Sequence, residues 1–196
     1  MIRVMKKHRW KMGVFAALMC STMLFTACGS DKKVEAEANK VADAVSSKDV
    51  SKLDAIINGV DDLAADDELA DFFTTDDVAG NGLMTQIVNA DTVEVKKVGK
   101  ETITYKITAP DLSNLFVDIK ADNVSAESAE QYLSDYISKA EQVTTEVEVP
   151  YTNEDGNFSA DYSSEEFMNA LTGNLVTAYQ GLVQDAVNEI SEEDAQ

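Results

Sequence analysis

The sequence predicts an α+β fold: an antiparallel sheet of about four strands in two hairpins, several helices packed against it, and a long C-terminal helix. Three observations carry this. Runs of alternating apolar and polar residues, rich in β-branched side chains, fall in two places, each split by a turn signal. Elsewhere apolar residues recur at helical spacing. Paired strands are neighbours in sequence, so they pair locally and antiparallel. No internal repeat is evident.

The elements follow in order. Val34, Ala38, Val41 and Val45 repeat at helical spacing, which predicts a helix to about Ser47. Asp49 is placed to cap a second short helix carrying Leu53, Ile56 and Ile57, and Asn58-Gly59 stops it. The acidic stretch Asp61 to Phe73 is expected to be helical, Thr74 to Gly82 a loop, and Leu83 to Val88 a further short helix. Thr92 to Val98 and Thr102 to Thr108 read as strands joined at Gly99-Lys100, with Ile103, Tyr105 and Ile107 on one face. Pro110 is expected to open a helical segment from Asp111 to Ile119, since proline suits a first turn. Ser125 should cap the next helix, whose apolar face is Ala129, Leu133, Tyr136, Ile137 and Ala140. Thr144 to Tyr151 and Asn157 to Tyr162 form the second hairpin, turning at Asn153-Glu154-Asp155-Gly156. Ser163 and Glu166 read as a capping box for the last helix. Its expected buried stripe is Met168, Leu171, Leu175, Ala178, Leu182, Ala186 and Ile190, with Gly173 and Gly181 as weak points.

The N-terminus has a different character. Arg3, Lys6, Lys7, Arg9 and Lys11 precede an apolar run of 13 residues, Gly13 to Phe25. That run is too short to span a bilayer, which needs about 20 apolar residues. The small residues Thr26 and Ala27 lead into Cys28. Together these features resemble the signal peptide and lipobox of a bacterial lipoprotein, with Leu24, Phe25, Thr26 and Ala27 as the peptidase recognition segment. Phe25 stands where the family usually has Leu. The resemblance implies a diacylglycerol thioether on the Cys28 sulfur, cleavage before Cys28, and anchoring by two acyl chains at the outer face of the cytoplasmic membrane. The competing reading is an uncleaved anchor helix. Residues 1–27 are then the signal, 28–33 a polar tether, 34–190 a single domain and 191–196 an acidic tail.

Composition narrows the chemistry. The chain has a formal charge of −20. Residues 28–196 hold 11 basic against 36 acidic side chains, a charge of −25. Nucleic acid, which needs a basic face, is excluded as a partner, and so is electrostatic adsorption to an anionic membrane. His8, Trp10, Arg3 and Arg9 are the chain's whole complement of those residue types, and all lie in the signal. With Cys28 acylated, the remaining chain has no histidine, tryptophan, arginine or free thiol. That removes Ser-His-Asp and Cys-His catalysis, His/Cys zinc sites, bidentate arginine clamps and disulfides. Carboxylate pairs, Ser-Lys pairs and oxygen-ligated metals remain open, and no phosphate-binding glycine loop is present. No cofactor is expected.

Several residues invite sharper readings. Asn153, Asp155 and Asn157 alternate like a calcium loop, but Gly156 falls at the fourth place rather than the sixth, so a plain hairpin turn is expected. Asp61-Asp62, Asp66-Asp67-Glu68 and Asp76-Asp77 could gather a divalent cation or bind a basic partner, but fit a solvated helix face better. Tyr132, Tyr136, Tyr151, Tyr162 and Tyr179 could line a cleft, or sit at the core edge with their hydroxyls in water.

The run Lys48-Asp49-Val50-Ser51-Lys52-Leu53 after the first helix, the run Thr104 to Leu112 and the hairpin at Asp155-Gly156 resemble the small lipoproteins of Gram-positive bacteria that carry an NTF2-like or cystatin-like domain. The resemblance implies a curved sheet cupped round a helix, sometimes with a pocket. The function expected is a non-enzymatic binding or adaptor module. The alternatives are a structural or immunity-type lipoprotein that blocks a protein partner, which an exposed apolar patch would favour, and a carboxylate-based hydrolase acting on wall or glycan, which a cleft with raised carboxyl pKa values would favour.

Overall fold

The computed structural model describes residues 32–58 and 82–193. The expectations for the signal segment, Cys28, the helix Asp61 to Phe73 and most of the loop from Thr74 lie outside these residues, as does the end of the acidic tail. The architecture is α+β: a four-stranded antiparallel sheet in the order β1-β2-β3-β4 with helices against it.

Helix α1 (Lys32–Ser46) buries Val34, Ala38, Val41, Ala44 and Val45, a single stripe at three- and four-residue intervals, and lays it on β1 (Thr92–Val98). Asp49 caps α2 (Val50–Ile57): its carboxylate accepts the Lys52 amide at 3.0 Å. Helix α3 (Leu83–Ala90) buries Met84, Ile87 and Val88 and leads into β1.

Strand β2 (Thr102–Pro110) alternates strictly, with Ile103, Tyr105, Ile107 and Ala109 buried. It pairs with β1 through a register shift between Val95 and Lys97, and along its whole length with β3 (Gln142–Glu154). On β3 the inward residues Val147 and Val149 are buried, while Thr144, Glu146, Glu148 and Pro150 face water. The sheet is thus covered on one face, which is why its sequence alternates. Strand β4 (Asn157–Ala160) closes the second hairpin, turning at Asp155 and Gly156, both at positive φ as such a turn requires. The calcium-like spacing there is a hairpin turn.

Three expectations are corrected. Pro110 does not open a helix; it ends β2 opposite Gln142. The Asp111 amide then donates to the Glu141 carbonyl at 2.7 Å, which extends the pairing, and α4 (Leu115–Ala121) starts only after a turn in which Asp111 accepts the Ser113 amide. Proline's fixed φ suits both settings, and the available partner strand decides. Ser125 starts a 3₁₀ turn, Ala126–Ser128, without a side-chain cap, and α5 (Ala129–Lys139) begins after it. The capping box does not form: Ser164 is the cap residue of α6 (Glu165–Leu171) and makes no side-chain capping bond, while the Ser163 hydroxyl turns back to Asp161.

The last helical stretch is also broken. Gly173 and Asn174 both adopt positive φ and separate α6 from α7 (Leu175–Glu193). Gly173 lies against Pro110, and its carbonyl accepts the Leu112 amide at 2.7 Å. The expected stripe is therefore buried at Met168, Leu171 and Leu175 and half-buried at Ala178, but Leu182 is 42% exposed and Ala186 is also exposed, because α7 runs past the end of the core; the Ile190 side chain lies outside the described residues.

The core has two parts. The larger lies between the sheet, α1, α2 and α6; the smaller gathers Met84, Ile87, Leu112, Leu115, Ile137 and Leu175 from α3, α4, α5 and the start of α7. In the larger part Tyr105 meets Tyr162 and Phe167 at centroid distances of 6.1 and 5.7 Å. Its hydroxyl donates to the Ala38 carbonyl and contacts the Tyr162 hydroxyl, both at 2.9 Å. Burial of both tyrosines is affordable because these hydroxyls satisfy one another.

Candidate functional site

Beside the smaller core lies a groove of about 850 Å³, lined by the residues that cap α4 at either end, the segment through the 3₁₀ turn, one face of α5, and Asp111 and Glu141 at the end of the sheet. Two repeats of the same contact build one wall. The Tyr136 hydroxyl donates to Asp118 at 2.8 Å and the Tyr132 hydroxyl donates to Asp122 at 2.9 Å. The tyrosines are four residues apart on α5, and the aspartates four apart at the end of α4. Because the helices run antiparallel, the later tyrosine meets the earlier aspartate. The two rings are tilted 32° to each other with centroids 6.0 Å apart. Loss of water contact first, then the bond to Asp118, pushes the Tyr136 hydroxyl up to about 12. Tyr132 is raised in the same way beside Asp122. Both hydroxyls are therefore protonated donors at neutral pH.

Asp111 and Glu141 stand at the strand end, and Asp135 on α5. Burial pushes the Asp111 carboxyl up, but bonds from the Ser113 amide and side chain and from the Asn174 amide group outweigh it and hold it below the ordinary range. The Asn174 contact, 3.2 Å, comes from the helix break, where Asn174 adopts positive φ. Lys139, the basic residue of the lining, is paired with Asp135 at 3.4 Å. The groove is thus rich in acceptors, negative, and walled by two aromatic faces. Among the described residues no group of three or more His, Cys, Asp or Glu side chains is placed to hold a metal ion.

Among the described residues, the carboxyl with a strongly raised pKa lies elsewhere. Asp91, between α3 and β1, is 1% exposed and neither carboxyl oxygen has a hydrogen-bond partner. Burial pushes it up to about 8, and nearby Lys48 offsets this only in part. Lys48, at φ 58°, spends its ammonium on the Val88 and Asp91 carbonyls at 3.0 Å each. Burial lowers the Lys48 pKa, against the pull of Asp91.

Of the tyrosines singled out from sequence, Tyr132 and Tyr136 line the groove. Tyr162 is in the core. Tyr151 stacks on Phe158 and bonds the Gly99 carbonyl; Tyr179 is 51% exposed beside Phe116. The partners Asp111, Asp118 and Asp122 were not foreseen. The matching Asp-x-x-x-Asp and Tyr-x-x-x-Tyr spacings on adjacent helices were the available signal. Leu24, Phe25, Thr26, Ala27 and Cys28 lie outside the described residues. Among the described residues no helix is long and apolar enough to cross a membrane. The chain matches no protein-family model, no curated protein and no solved structure.

Proposed function

We propose that this chain is an exported lipoprotein, anchored by diacylglycerol on Cys28 at the outer face of the bacterial cytoplasmic membrane, that works as a non-enzymatic binding module for a small amine-bearing ligand. The basic N-terminus, the short apolar run and the small residues before Cys28 support the anchor. The observation that carries the binding reading is the twinned Tyr–Asp wall. It presents the Asp122 carboxylate and two ring faces already fixed by hydrogen bonds, with Asp111 and Glu141 across the lining, so a cation entering the groove meets an ordered site. Two tests apply. Cys28→Ala should release the protein from the membrane fraction and abolish lipid labelling; retention of both refutes the anchor. Calorimetric titration with spermidine should show binding that Asp122→Asn weakens, and equal heats for both proteins refute the groove.

The hydrolase alternative needs a protonated carboxyl facing an ionised one. Asp111 is held toward its ionised form, and the raised carboxyl, Asp91, is buried away from the groove. A second reading, attachment to a protein partner, is favoured by the exposed apolar residues of α7.

A further inference from the structure

The surface of α7 extends that second reading and is independent of the groove. Tyr179, Leu182, Val183 and Ala186 follow the spacing i, i+3, i+4, i+7, so they share one side of the helix. All four are exposed: Tyr179 51%, Leu182 42% and Val183 44%, with Ala186 in the same class. The stripe continues the line of Leu175, which is buried, past the point where the smaller core ends. Phe116 of α4 meets Tyr179 edge-on at 6.2 Å and widens its near end. A helix normally hides such a stripe, and a helical extension without packing is marginal in water.

Charge selects the occupant. Helix α7 carries Asp185, Glu189, Glu192 and Glu193 and no basic residue. A second copy would set acid against acid on a chain already at −20. An anionic membrane surface would be repelled for the same reason. The geometry points to a partner protein that lays a basic amphipathic helix along α7, with apolar residues three and four apart on Leu182 and Val183 and Lys or Arg beside Asp185.

This inference rests on the protein-partner reading, and one experiment separates the two. Benzoylphenylalanine is placed at Val183 of the full chain in its own cells, with Asn188 on the opposite side of α7 as control, and the cells are irradiated. The expected product, from Val183 only, is a heteromeric adduct whose attached peptide is net positive with apolar residues at helical spacing. Leu182→Glu and Asp185→Lys should each cut its yield, by roughly tenfold for the former, while leaving the melting temperature unchanged. A heteromeric adduct on a neutral or acidic peptide overturns the charge argument and keeps the partner. An adduct of twice the chain's mass, a lipid adduct, or none above the Asn188 level overturns both. A marked fall in melting temperature for Leu182→Glu shows the stripe packed within the chain and also overturns the proposal.

Discussion

Replacing Gly173 with alanine tests the argument that the helix break, rather than helix propensity, shapes the C-terminal half. Gly173 sits at φ 58°, and a Cβ there would collide with the carbonyl of Pro110. An L-residue in the left-handed region costs roughly 1–2 kcal/mol. The clash is with backbone, so relief requires the β2 end to move; overpacking of this kind costs roughly 1–3 kcal/mol. The bond from the Leu112 amide to the Gly173 carbonyl would weaken as the two segments part. A loss of about 3 kcal/mol follows, or a fall in Tm of roughly 10 °C for a chain of this size. Gly181 supplies the internal control. It lies inside α7 with nothing within 4 Å of an added Cβ, so Gly181→Ala should stabilise the helix by about 0.5–1 kcal/mol. The assay is thermal unfolding followed by far-ultraviolet circular dichroism. If Gly173→Ala melts within about 2 °C of the parent, the close approach to Pro110 does not hold and the reasoning fails.

Other outcomes follow from buried polar groups. Tyr105→Phe removes the second donor to the Ala38 carbonyl, which keeps its helix bond, and strands the Tyr162 hydroxyl in the core, and should cost about 2 kcal/mol in urea denaturation; a loss indistinguishable from zero would show that water replaces the hydroxyl. Asp91 has a folded pKa of about 8 against an ordinary 3.8, so its contribution to stability is full below pH 4 and declines up to pH 8. The slope is at most about 1.4 kcal/mol per pH unit. Asp91→Asn should therefore flatten the decline between those pH values and be more stable than the parent at pH 9; parallel pH profiles would refute this. Tyr136→Phe removes one of the two wall bonds and should cost no more than about 1 kcal/mol of stability while weakening spermidine binding; an unchanged affinity would separate the ring faces from the hydroxyl.

Local patterns survived where local forces decide. The period-two runs at Thr92–Val98 and Thr102 onward became strands because one face is buried, along the whole of β2 and at Val93 and Val95 of β1. Asp49 capped α2 because a cap needs only its own helix. The errors arose where a distant segment intervened. Pro110 obeyed its pairing with Gln142, and Gly173 obeyed its packing on Pro110, contacts no window of sequence contains. The stripe of α7 was read correctly as a periodicity and wrongly as burial, since periodicity says which side is apolar and not what covers it. The groove was half legible: Tyr132 and Tyr136 stood out, but only the antiparallel approach of α4 and α5 brings Asp118 and Asp122 to them.

Strand β3 has a mechanical consequence. It runs unbroken from Gln142 to Glu154, 13 residues, or roughly 40 Å at about 3.3 Å per residue. At one end Glu141 borders the groove; just past the other, the Gly156 carbonyl accepts the Lys33 ammonium at the start of α1. The point where the chain leaves toward Cys28 and the mouth of the groove are therefore at opposite ends of one strut. Under the lipid-anchor proposal, an upright domain would hold its groove at a stand-off set by a hydrogen-bonded strand, which keeps its length under load where a loose tether would not.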